Sequence, residues 1–304
     1  MDIKKLFQGF KNKKVLIIGD AMIDSYMWGE INRMSPVAPV SIVEVKKSES
    51  RLGGAANVAL NLKALGASAI LCSLVGTGNR GVLFKKLMKE SKLSIEGIIF
   101  NNKRKTTIKT RVIADKKHQL RIDEEEKQPN QQAKEFLQLT ESLMSDIDVI
   151  ILQDYNKGVL TPEVIESVIA SANRKGIPTI VDPKKQNFGS YKNCTIFKPN
   201  LAEIKAGLNI DFDANNIVEI NNASAKLREK LNANAVLLTL SERGICINSE
   251  EKFTHTPAFK KDIIDISGAG DTVVSVASLC LASKIDYTQL SILSNLAGLS
   301  LIHI

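Results

Sequence analysis

Nowhere in these 304 residues is there an apolar run near the roughly 20 residues that a membrane-spanning helix needs. The opening MDIKKLFQGFKNKK also lacks the apolar stretch and small-residue cleavage site of a secretory leader, so the expected setting is the cytoplasm, with no membrane partner. Cysteine is scarce: Cys72, Cys194, Cys246 and Cys280 form no C-x-x-C pair, which argues against a zinc site and a disulfide framework. The histidines, His118, His255 and His303, do not cluster. Aromatics make up only 5% of the chain, too few for base-stacking platforms. The net charge of +8 is dispersed, with nothing denser than pairs such as Lys46-Lys47, so no nucleic-acid partner is expected. A solvated basic surface, or attraction for small anionic substrates, accounts for that charge. No repeat, low-complexity tract or Pro/Gly-rich linker divides residues 1–304, and one domain is expected. No G-x-x-x-x-G-K-[ST] run occurs, which argues against a P-loop enzyme.

What is present is alternation. Short β-branched runs at 15–19, 69–74, 95–100, 149–152, 179–181, 195–198 and 235–240 are separated by helical periodicity at 55–65, 82–90, 132–144, 162–175, 223–231 and 269–282. This is the pattern of βαβ units, and it predicts a doubly wound α/β fold with a mainly parallel sheet flanked by helices. Two stretches, about 26–46 and 104–123, carry strand character without intervening helices. They predict a small antiparallel β-sheet inserted as a lid over the carboxyl edge of the main sheet, where ligands of open α/β folds bind.

Chemistry concentrates in DISGAGDT, residues 265–272, which runs directly into an apolar helix. Small residues allow a sharp turn and close approach, and the first N–H groups of a helix attract anions. Gly268, Ala269 and Gly270 thus present candidate donors to a phosphate, and Asp271 a candidate base for an acceptor hydroxyl; helix-dipole stabilisation alone also explains an acid there. RLGGAANVA opens another helix, and its Gly53, Gly54 and Asn57 serve either close packing or a polyhydroxylated ligand. In GDAMID, Asp20 and Asp24 follow the first strand and either accept from sugar hydroxyls or cap a turn. Asn200 and Glu203 reach Mg²⁺-bound water and phosphate, or cap the helix they open. Thr239 and Ser241 end another strand just before Gly244, in a place suited to nucleotide contacts. In the lid, alternation puts Lys109 and Arg111 on one face of a strand and Arg121 and Asp123 on one face of its partner, either converging on a phosphate or blunting a sheet edge. Gly76–Gly81 spells G-x-G-x-x-G, but Glu96 stands at the start of its strand rather than the end, against a dinucleotide site.

In order along the chain, GDAMID, RLGGAANVALNLKALGA, QDYNKG, VDPK, KPNLAE, LTLSERG and DISGAGDT resemble the ribokinase-like (PfkB) carbohydrate kinases over about residues 13–300. MWGEINRMSPVAPVSIVEV and TTIKTRVIADKKHQLRID are similar to the branch that phosphorylates D-glycero-D-manno-heptose 7-phosphate at O1, for ADP-heptose and lipopolysaccharide core synthesis. The resemblance implies an ATP-dependent kinase using Mg²⁺, in some members with a monovalent cation, and a homodimer formed through the lid. It implies Asp271 as general base and the Gly268–Gly270 amides as the anion hole. Asp24, Gly53, Gly54 and Asn57 fall against the sugar, Asn200 and Glu203 against Mg²⁺ and phosphate, with Glu203 reaching the metal through water. Thr239, Ser241 and Gly244 fall in the nucleotide region, with Asn295 at the adenine pocket. The chain departs from the pattern at Ser267, Val37 and Gly78, where Thr, Glu and Asp are usual. Relatives of this kind continue for roughly another helix and strand beyond LSLIHI, sometimes into a nucleotidyltransferase, so a chain that stops short of a full member is also expected. The alternatives are a kinase for another sugar or sugar phosphate, and a catalytically silent sugar- or nucleotide-binding regulator.

Overall fold

The runs KVLIIG and VIILQ carry almost no polar residues, as strands covered on both faces require. In the computed structural model, which describes residues 2–258 and 268–300, both lie at the centre of the larger of two sheets. The elements, in chain order, are α1 (Ile3–Phe10), β1 (Lys14–Gly19), β2 (Ala21–Met34), β3 (Ser41–Gly54), α2 (Ala55–Ala64), β4 (Ser68–Gly76) and α3 (Asn79–Glu90). Next come β5 (Ile98–Asn101), β6 (Thr107–Ala114), β7 (Lys117–Glu124), α4 (Ala133–Ser142), β8 (Val149–Gln153), α5 (Pro162–Arg174), β9 (Thr179–Asp182) and β10 (Ile196–Phe197). The remainder are α6 (Leu201–Leu208), α7 (Ile217–Leu231), β11 (Ala235–Thr239), β12 (Ile245–Ser249), β13 (Phe253–Thr256), α8 (Ala269–Ala282) and α9 (Tyr287–Ser300).

The large sheet has the order β13-β12-β11-β10-β9-β8-β1-β4-β5. Its pairs run parallel from β5 to β11 and antiparallel through β12 and β13. Its two faces fill separate cores: α2 and α8 close one, with Val15, Ile17 and Ile151, while α5 and α7 close the other, with Leu16, Ile18 and Leu152. One β-strand's alternation therefore feeds both cores. No described helix is long and apolar enough to cross a membrane.

The lid is the second sheet, in the order β3-β2-β6-β7. It differs from expectation in two ways. Its central pair, β2 and β6, runs parallel, so the lid is mixed rather than antiparallel. Its strands are also longer, β2 starting at Ala21 and β3 ending at Gly54, which puts Asp24 on a lid strand rather than in a turn after β1. Register shifts at Trp28/Gly29 and Ile31/Arg33 break the two-residue period, which hides these strands from periodicity.

Candidate active site

α8 begins where expected. Its N-cap, Gly268, has φ +83°, a left-handed conformation that favours glycine, and no side chain caps the helix. The first-turn N–H groups are thus not claimed by a capping side chain, as an anion hole requires. Gly270 is different: its φ is ordinary, and a Cβ there would approach nothing closer than 4.0 Å, from Asp182 Oδ2 and Lys198 Nζ. Asp265, Ile266 and Ser267, the rest of the motif, lie outside the described residues.

Asp271 lies in the first turn of α8, 7% exposed. Asn57 Nδ2 donates to its Oδ2 at 2.7 Å, and Tyr155 Oη and Gln153 Nε2 donate to its Oδ1 at 2.6 and 3.3 Å. Burial pushes its carboxyl up to about 6, with the Tyr155 and Asn57 hydrogen bonds and Lys198 working against that rise and Asp182 adding to it. Gln153 also donates to Asp182 Oδ2 at 3.0 Å, and Lys198 Nζ pairs with Asp182 Oδ1 at 3.0 Å in a buried ion pair. Gln153, Tyr155, Asp182 and Lys198 stand within QDYNKG, VDPK and KPNLAE; sequence reasoning quoted those motifs without singling out these four residues.

The glycines of RLGGAANVA have distinct jobs. Gly54 has φ +58°, and a Cβ on Gly53 would fall 2.2 Å from Asp24 Oδ2, so Gly53 makes room for the Asp24 carboxylate. Asn57, expected against a sugar, has its amide on Asp271. Asp20 is a loop anchor: buried, it accepts the backbone N–H groups of Tyr155, Lys157 and Val159 at 2.9–3.0 Å.

Asn200 and Glu203 do form a capping box at the start of α6, and Glu203 Oε1 also meets Lys184 Nζ at 2.5 Å. Both Glu203 oxygens are engaged, and the described residues hold no group of three His, Cys, Asp or Glu able to ligate a metal. Thr239 bridges to Asn200 beside α6. Gly244, φ +92°, packs on Thr256 and Ala258, and Asn295 Nδ2 donates to Pro257 O at 2.8 Å. Gly244 and Asn295 thus meet at 256–258, while Ser241 is exposed beside them with φ 55°.

On the lid, Lys109 faces Asp123 and Arg111 faces Arg121 across the β6–β7 pair, and Asp24 and Tyr26 continue that face on β2. Arg111 Nη1 meets Asp24 Oδ1 at 2.6 Å, Lys109 Nζ lies 3.8 Å from Asp123, and Arg121 chelates Asp123 at 2.8 and 3.0 Å. Val37 is 91% exposed in the turn between β2 and β3, and a Cβ at Gly78 would meet nothing within 4 Å, so neither departure crowds the site. The first and last glycines of G-x-G-x-x-G are packing residues: a Cβ at Gly76 would strike Arg104 O, and one at Gly81 would strike Gly76 O.

Residues 12–299 match the family described as pfkB family carbohydrate kinase. The chain is 37% identical over 302 residues to a protein of Citrifermentans bemidjiense named Bifunctional protein HldE, covering 98% of this chain and 61% of that one. A protein of the same name from Desulfatibacillum aliphaticivorans is 39% identical, covering 95% of this chain and 59% of its own length. The chain thus spans about three-fifths of these relatives. The fold is similar to phosphofructokinase-2 from Escherichia coli in complex with fructose-6-phosphate, with a TM-score of 0.77 at 18% identity, covering 94% of this chain and 92% of that one.

Proposed function

Because this chain belongs to the pfkB family of carbohydrate kinases, we propose that it transfers the γ-phosphoryl group of ATP to O1 of D-glycero-D-manno-heptose 7-phosphate. The observation that carries the kinase reading is Asp271: a carboxylate held by three donors in the first turn of a helix whose N-terminus no side chain caps. Phosphoryl transfer asks little covalent chemistry of a protein, only a positioned acceptor, a base and donors for phosphate charge. Asp271 takes the hydroxyl proton, and the Gly268, Ala269 and Gly270 N–H groups receive the transferred phosphate. Asn200 and Glu203 would hold Mg²⁺ through water, and the ion would supply neutralisation of phosphate charge. Thr239, Ser241, Gly244 and Asn295 line the nucleotide side, while Asp24, Gly53 and Gly54 meet the sugar. Asn57 meets the sugar beside them, with its Nδ2 on Asp271.

A phosphorylated heptose is favoured by the sequence likeness to the heptose branch, by the relatives' shared name, and by the cations on the lid face. The test is MgATP turnover with heptose 7-phosphate, with fructose 6-phosphate and with unphosphorylated heptose. The highest kcat/KM is expected with heptose 7-phosphate. Preference for fructose 6-phosphate would reassign the substrate within the same chemistry, and equal ATP hydrolysis with every sugar would end the kinase reading.

The lid also supports a homodimer. Val45, Leu120 and Ile122, all on lid strands, are 47–51% exposed. Sedimentation is expected to give the mass of two chains; a monomer at micromolar concentration would sink this assignment.

A further inference from the structure

Both carboxylate oxygens of Asp271 are hydrogen-bonded, but unequally. Among the described residues, Oδ1 accepts from Tyr155 Oη and Gln153 Nε2, which fills its two lone-pair directions, whereas Oδ2 accepts from Asn57 alone. The phenol is not placed there by chance packing, because the loop that carries it is fixed from both sides. Asp20 binds the alternate N–H groups of Tyr155, Lys157 and Val159, and Asp154 accepts from Asn156 N, Asn187 Nδ2 and Tyr191 Oη at 2.7, 3.2 and 2.7 Å. Asn156 and Gly158 adopt left-handed backbone, with φ 55° and 92°. Lys184, bound to Glu203, lies 5.8 Å from the Tyr155 ring centre.

We infer that Tyr155, helped by Gln153, is a positioning residue that occupies Asp271 Oδ1 and so leaves Oδ2 to face the acceptor hydroxyl and take its proton. The inference rests on Asp271 being the base. In the step, the hydroxyl oxygen bonds to the γ-phosphorus as its proton passes to Oδ2, and the bond from that phosphorus to the bridging oxygen breaks, releasing ADP. A donor to Oδ1 also favours the ionised carboxylate, opposing burial and Asp182 on β9 and acting in the same sense as Lys198 after β10; the facing residues of α2 carry no charge.

The experiment is a ¹³C titration of aspartate-labelled protein, Asp271 being recognised by the signal lost in Asp271→Asn. In the parent that carboxyl is expected to titrate at about 6. In Tyr155→Phe it should titrate about one to two pH units higher, the worth of one hydrogen bond to a charged group. The acid limb of kcat/KM should move with it, with KM for ATP unchanged, a pattern that loss of folded protein does not produce. Gln153→Met should shift the same signal less, because its bond is longer, and it carries the test if Tyr155→Phe does not fold. A parental titration in both variants overturns the inference while leaving Asp271 as base. Parental turnover in Asp271→Asn overturns both.

Discussion

Asp271→Asn is expected to lower kcat by about 10²–10⁴-fold while ATP still raises the melting temperature as it does in the parent. The substitution keeps the volume of the side chain and removes its basicity. Its effect on stability runs the other way. Burial raises the Asp271 carboxyl from 3.8 to about 6, so ionising it in the folded protein costs on the order of 3 kcal/mol. Between those values the native state holds a proton that the unfolded chain has released. This contribution to stability is therefore full below about 4 and lost as pH rises through about 6. In Asp271→Asn, that fall with pH should flatten. Some slope remains, because burial and the neighbouring Asp20 raise Asp154 to about 6 as well. Melting temperatures from pH 4 to 8 and single-turnover rates on the same samples check both halves. An Asn variant that turns over at the parental rate would remove the base, and one that melts lower at pH 8 would remove the stability argument.

A carboxylate held at such expense is a sign of function, and sequence showed it for a physical reason. Small residues followed directly by an apolar helix have few meanings, and the predicted helix at 269–282 coincides with α8, Ala269–Ala282. The central strands were legible because parallel strands covered on both faces must be apolar throughout. The lid was half legible: strands without helices between them revealed a separate sheet, but its bulges and its parallel β2–β6 pair left no period to follow. β12 and β13 escaped because they add to the sheet edge as a short antiparallel hairpin, without a crossover helix to mark them. At the site, Asn57 and Asp271 stood out by their glycine-rich motifs, whereas Gln153, Tyr155, Asp182 and Lys198, which gather beside them in space, did not. Nothing in QDYNKG says that Tyr155 reaches a helix 116 positions away, since that contact depends on the Asp20 clamp and on how β8 sits beneath α8. Glu203 shows both sides: its capping box with Asn200 was legible from their spacing of three, whereas its ion pair with Lys184 was not.

Arg111→Ala and Lys109→Ala are expected to lower kcat/KM about 10–100-fold on heptose 7-phosphate, with a much smaller loss on unphosphorylated heptose. A charge-assisted contact between either cation and the substrate's existing phosphate is worth roughly 1.5–3 kcal/mol, and that converts to this range. Strand register places both residues on the lid face that carries Asp24, and β3 of the same sheet runs through Gly53 and Gly54 into α2, whose Asn57 holds Asp271. The proposed function would tie a substrate under the lid to Asp271 by this path. Each cation already has a carboxylate, Arg111 with Asp24 and Lys109 with Asp123, so these pairs share their charge with an arriving phosphate rather than waiting bare. The Arg111 effect should be the larger, because a guanidinium binds phosphate through two donors. Steady-state kinetics on both sugars decide the matter. Equal losses on the two substrates would show that these side chains only hold the lid's shape, and the substrate's phosphate would then have to be bound elsewhere.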